Sequence, residues 1–136
     1  MDPNLYFQSA IGMPFAVTIS MILVIIRMNV FSKKRMELSQ AIVSLSSSIR
    51  MEKGCQRCDF CQSIEDENQL FLLEEWDTQE NFKDHLKSRH FKVFRGAMNL
   101  LREPCEMTSH TVFYPEGMEE INPGSDDCAP AVKLKS

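Results

Sequence analysis

The chain has 136 residues, enough for one domain with its own hydrophobic core. At 43% hydrophobic and 25% charged residues it has the balance of an ordinary globular protein, which excludes disordered and collagen-like classes. A net charge of −4 argues against the basic face of a nucleic-acid binder, and the one basic run, Lys33-Lys34-Arg35, reads as the solvated start of a helix.

Asn4-Leu5-Tyr6-Phe7-Gln8-Ser9 resembles the recognition sequence of a tag-removal protease, so residues 1–12 read as a leader foreign to the domain. Met13 or Met21 is then the natural start, the domain runs over 13–114, and residues 115–136 form a tail. Pro14 to Ile26 carries no charge, but a membrane span needs about 20 apolar residues and this run stops at Arg27. It reads as a buried strand, and the protein as cytoplasmic. From Met21 to Val30 the even positions are uniformly apolar, while the odd ones include Arg27 and Asn29, which predicts a first strand with one apolar face. Leu38, Ile42, Leu45 and Ile49 then recur at helical spacing and predict an amphipathic helix over 33–52, with Gly54 as its left-handed stop.

Cys55 to Ile64 and Gln69 to Trp76 read as two strands of a hairpin, joined by the polar turn Glu65-Asp66-Glu67-Asn68. Asp77 and Glu80, three apart, carry a helix-capping signature. A second helical region follows with Phe82 and Leu86, and Ser88 caps a fresh segment bearing Phe91, Phe94, Ala97, Met98 and Leu101. Pro104 stops it, and Cys105 to Tyr114 is the fourth strand. The order is β-α-β-β-α-β, the α+β arrangement of the ferredoxin-like group. Two helices on one side leave the other sheet face bare, which in a short chain calls for a second copy, hence a homodimer. The tail, rich in Pro, Gly, Asp and Ser, is either flexible or an arm on the partner subunit.

An odd cysteine count with no signal peptide recognised favours reduced thiols. Cys55, Cys58 and Cys61 resemble a metal motif, but strict strand alternation puts Cys58 on the face opposite Cys55 and Cys61. No metal is expected there.

Gly54-Cys55, Glu75-Trp76, the segment His85-Leu86-Lys87-Ser88-Arg89-His90-Phe91, then Phe94 and Leu100-Leu101 follow one another on successive elements. Together they resemble the antibiotic biosynthesis monooxygenase (ABM) family, over about residues 21–114. The resemblance implies a dimeric α/β barrel in which two sheets face each other, with a pocket in each subunit between sheet and helices. Family members include cofactor-independent monooxygenases of phenols, quinols or anthrones. Others degrade haem, and some process signalling molecules without oxygenation.

Seven residues carry the chemistry that this resemblance implies. Trp76 lines the pocket as a stacking wall, or else is plain core. His85 and His90 are candidate bases, since imidazole titrates near neutrality and can take a phenolic proton; the alternative is a role in helix geometry and dimer packing. Asn29 matches an asparagine of the haem-degrading relatives, and Phe91 sits within the matched segment as a substrate contact. Arg95 stands where those relatives carry the haem ligand, which speaks against haem. It either stabilises a phenolate or carboxylate over the pocket or is a solvated helix charge, and Arg27 has the same standing. No glycine-rich loop is present to bind flavin or nicotinamide. The leading expectation is a cofactor-independent monooxygenase acting with O2 on a small aromatic or quinol-like substrate. His90 or His85 would be its base, and Asn29 or Arg95 the oxyanion partner. Haem binding or degradation, and a non-oxygenating binder or isomerase of the same fold, are the alternatives.

Overall fold

The computed structural model describes residues 18–115. One compact unit, Met21–His110, is distinguished from the described ends, residues 18–20 and 111–115. Every side chain discussed below belongs to that unit. The leader expected over residues 1–12, Cys128 and the tail from residue 116 onward lie outside the described residues.

Side chains on a strand point alternately to its two faces, and β1 (Thr18–Asn29) follows that period: Ile22, Val24, Ile26 and Met28 are buried. On its other face Leu23, Ile25 and Asn29 are half-buried and Arg27 is exposed. A 3-10 turn (Ser32–Lys34) leads into helix α1 (Arg35–Ile49), which stops short of the expected residue 52. Leu38, Ile42 and Ile49 face the core as their spacing predicts, but Ser46 rather than Leu45 takes the remaining buried position. Its hydroxyl donates to the Ile42 carbonyl at 2.8 Å, which satisfies a polar group that would otherwise be stranded.

Gly54 is not the helix stop. It lies beyond the turn that follows α1, at φ +87°, and opens strand β2 (Cys55–Gln62). A Cβ there would come within 2.5 Å of Asn81 and Asp77, so both the backbone conformation and the close approach require glycine. Strand β2 ends before Ile64 because the Ser63 hydroxyl accepts from the Glu65 and Asp66 N–H groups and turns the chain. It pairs antiparallel with β3 (Gln69–Trp76), and a bulge between Cys55 and Arg57 inserts an extra residue. Cys55 is then opposite Trp76 and Cys58 opposite Glu74, two residues apart on β3, so both face the helices. Cys61, opposite Phe71, faces the other way. The expectation from strict alternation, with Cys58 alone on its side, is corrected by that one extra residue.

The second helical region is two helices, α2 (Gln79–Leu86) and α3 (Arg89–Ala97). Thr78, not Asp77, caps α2: its hydroxyl accepts from the Asn81 N–H, while Asp77 Oδ1 takes the Asn81 side-chain amide. Ser88 caps α3 as its position predicts, accepting from the Phe91 N–H at 3.1 Å. A 3-10 turn (Met98–Leu100) and Pro104 then lead to β4 (Glu106–Pro115). The strand order is β2-β3-β1-β4, which with the element sequence is the ferredoxin-like α+β fold. The core lies between sheet and helices, where α1 packs on β2 and α2 on β3. Each large apolar side chain buried there contributes roughly 1.5–3 kcal/mol.

Candidate active site

Along β3 the helix-facing positions are Leu70, Leu72, Glu74 and Trp76, so a carboxyl group occurs in phase with an apolar row. Glu74 is 1% exposed. A group so placed needs partners, and the Trp76 indole N–H donates to its Oε1 at 2.8 Å. His85, from the last turn of α2, lies flat on Trp76 with ring centres 4.5 Å apart. Its Nε2 is 3.5 Å from Glu74 Oε1, close enough for a charge interaction but too long for a good hydrogen bond. That nitrogen has no hydrogen-bond partner among the described residues.

On its other side, His85 Nδ1 is 2.8 Å from Glu52 Oε1. His90, in the first turn of α3, brings its own Nδ1 to 2.7 Å from Glu52 Oε2, and the Ser88 hydroxyl lies 3.5 Å from that oxygen. Glu52 sits at the N-terminal end of α3, where the helix dipole favours negative charge. Trp76, Glu74, His85, Glu52 and His90 thus form a continuous polar chain from core to surface. Burial pushes the Glu74 carboxyl above the ordinary carboxylate range, against the lowering pull of His85 and the Trp76 N–H. Phe91 closes the aromatic side, with its ring 5.4 Å from His85 and edge-on.

Glu52, His85 and His90 face a cleft of about 260 Å³ whose rim carries Lys53, Asp84 and Arg89. Exposure is graded along the chain of groups: the side chain of His85 is 1% exposed, Glu52 15% and His90 38%. His90 is therefore the imidazole that a small molecule in the cleft can meet.

Residues 21–97 match the family described as antibiotic biosynthesis monooxygenase. The chain belongs to the ABM family. Solved structures with the same fold include a conserved protein from Methanosarcina mazei Go1, at 27% identity and TM-score 0.65, covering 77% of this chain and 96% of that one. Rv0793 from Mycobacterium tuberculosis is 24% identical with TM-score 0.63, covering 66% of this chain and 92% of its own. A third, described as an antibiotic biosynthesis monooxygenase, is 18% identical with TM-score 0.61, covering 65% and 95%. The last two likenesses speak to the fold alone. No curated protein matches the chain.

Of the seven residues singled out from sequence, this ABM domain brings four together: Trp76, His85, His90 and Phe91. Trp76 is 0% exposed, so it lies beneath His85 and offers no face to a molecule in the cleft. Asn29 is elsewhere. Trp76 pairs with Ile22, and Asn29 lies at the end of β1, about 23 Å further along at 3.3 Å per residue. Its side-chain amide donates to Glu103 Oε2 at 2.7 Å, and its carbonyl accepts from the Arg102 N–H. Those two residues, with Arg95, Met98, Leu101 and Cys105, line a separate open cavity of about 560 Å³. Arg27 projects from the opposite sheet face, 4.0 Å from Glu106 and over the Phe71 ring.

Glu52 and Glu74 were not singled out from sequence. Glu74 carried a signal, an acid in step with Leu70, Leu72 and Trp76 on a strand. Glu52 carried none, because its partners are 33 and 38 residues away. The three thiols of β2 do not converge: Cys55 and Cys58 face the helices and Cys61 does not. Burial pushes Cys58 up to about 12 and Cys55 to about 11, so both are protonated at neutral pH.

Proposed function

We propose that this ABM-family protein is a cofactor-independent monooxygenase that oxidises a small aromatic or quinol-like substrate with dioxygen. The observation that carries the reading is the Glu52–His90 pair at the cleft. With Nδ1 engaged by the carboxylate, Nε2 is the ring nitrogen left to take a hydroxyl proton from the substrate. An ordinary imidazole is a weaker base than a phenolate by about 3.5 pH units, roughly 5 kcal/mol. The developing oxyanion therefore needs positive charge beside it, and Lys53 and Arg89 on the rim supply it. The deprotonated, electron-rich substrate then reduces dioxygen. It provides all four electrons itself, keeps one oxygen atom, and the other leaves as water.

The same reading includes a homodimer, with a second copy covering the sheet face that carries the half-buried Leu23, Ile25, Phe71 and Leu73. Burial of those side chains against a partner would remove apolar area from water on both subunits. A cytoplasmic setting agrees with the free thiols of Cys55, Cys58, Cys61 and Cys105 among the described residues. No helix among the described residues is long and apolar enough to cross a membrane.

Dissolved oxygen is followed while reduced quinones and simple phenols are added to the purified protein. Uptake well above autoxidation, lost in His90→Ala, is the expected result. Background uptake across the whole panel refutes the oxygenase and leaves a binding protein or isomerase. Light scattering of the eluting protein gives the mass, and a monomer at micromolar concentration would remove the dimer.

A further inference from the structure

Glu52 has a single carboxylate, and two ring nitrogens reach it: Nδ1 of His85 at 2.8 Å and Nδ1 of His90 at 2.7 Å. An ionised carboxylate only accepts, so both nitrogens must donate. That assigns the proton of each ring to Nδ1, whereas a neutral histidine side chain free in water prefers it on Nε2. For His90 the consequence is a bare Nε2 at the cleft. For His85 it is an Nε2 turned inward, 3.5 Å from Glu74 Oε1, with no hydrogen bond among the described residues. At that distance the buried nitrogen and the buried carboxyl group interact through charge and dipole, without a good hydrogen bond between them.

We propose that Glu52 is the positioning residue of this site: it holds His90 in the Nδ1–H tautomer, so that Nε2 is the base. His85, whose Nδ1 engages the other oxygen of Glu52 at 2.8 Å from within the core, is its buried anchor. The proposal deepens the monooxygenase reading and rests on it for the reaction, but its claim about proton positions stands apart from turnover. In the step that Glu52 supports, the substrate O–H bond breaks and its electron pair stays on oxygen. The proton forms a bond to His90 Nε2, and nothing is oxidised. Glu52 touches no reacting atom. It acts through His90, whose imidazolium it balances until the proton is returned.

The test is a long-range 15N–1H NMR spectrum of the labelled, substrate-free protein, with His90→Ala used for assignment. Both histidines carry the proton on Nδ1 in the native protein, and in Glu52→Leu the His90 proton moves to Nε2. In oxygen uptake, Glu52→Leu loses about 100-fold in kcat with KM little changed. Added to His90→Ala it costs nothing further, because the two act as one unit. A native His90 protonated on Nε2, or losses that add in the double variant, overturns the proposal. If Glu52→Leu does not fold, Glu52→Gln replaces it: its amide offers one acceptor and one donor, so only one ring can keep the Nδ1 proton. Both rings keeping it also overturns the proposal. A protein with the assigned tautomers but no uptake refutes the oxygenase reading alone. Normal uptake with the opposite His90 tautomer refutes the positioning role alone.

Discussion

Glu74→Gln isolates the buried acid with the least change of shape. The amide keeps an oxygen for the Trp76 N–H, donated at 2.8 Å in the native protein, and presents a donor toward His85 Nε2. Because burial raises the folded-state pKa of Glu74 above 4.5, the native fold binds this proton more tightly than the unfolded chain does. The sign follows. Below the ordinary carboxylate range the acid is protonated in both states, and native protein and variant differ little. As the pH rises, the unfolded chain ionises first and the native protein loses stability relative to the variant. The slope is at most about 1.36 kcal/mol per pH unit, the value for one proton. It flattens once the pH passes the folded-state pKa, so the plateau height reads the shift directly. Urea unfolding of both proteins from pH 4 to 8 measures this difference. A difference that stays flat, or one in which the native protein gains on the variant as pH rises, refutes the reasoning. The second outcome would mean that Glu74 is folded as an ion paired to a charged His85.

One substitution and one labelling experiment probe what the site is built on. Gly54→Ala should destabilise by well over 1 kcal/mol, since it combines a backbone at φ +87° with a Cβ 2.5 Å from Asn81 and Asp77; an unchanged melting temperature would contradict it. In the folded protein Cys58, 1% exposed with its thiol pushed up to about 12, should resist alkylation long after the half-buried Cys61 has reacted, as peptide mapping by mass spectrometry reads out.

What the sequence disclosed depended on how local the cause was. The alternation of Ile22, Val24, Ile26 and Met28 and the spacing of Leu38, Ile42 and Ile49 each express one short-range period, and these positions are buried as expected, with Ser46 taking the place expected of Leu45. The cap of α2 slipped by one residue because Asp77 and Thr78 are both able to cap, and only the Asn81 side chain, by engaging Asp77, decides between them. The cysteine faces failed for a similar reason: a bulge between Cys55 and Arg57 leaves no mark in the alternation of side-chain types. The histidines were visible as chemistry, yet the carboxylate that joins them was not. Asn29 is grouped with Trp76 on family likeness, and only the strand register, with Trp76 opposite Ile22 and Asn29 opposite Gln69, sets them far apart.

The interruption between α2 and α3 has a consequence for the angular phase of the site. On an unbroken helix, side chains five positions apart are rotated by about 140°, so His85 and His90 would point to different sides of the axis. The chain instead leaves the helix at Lys87 and restarts at Ser88, which resets that phase and lets both rings converge on one oxygen pair. The pairing of two imidazoles with Glu52 is thus a property of where a helix stops, written in Ser88 as much as in the histidines themselves.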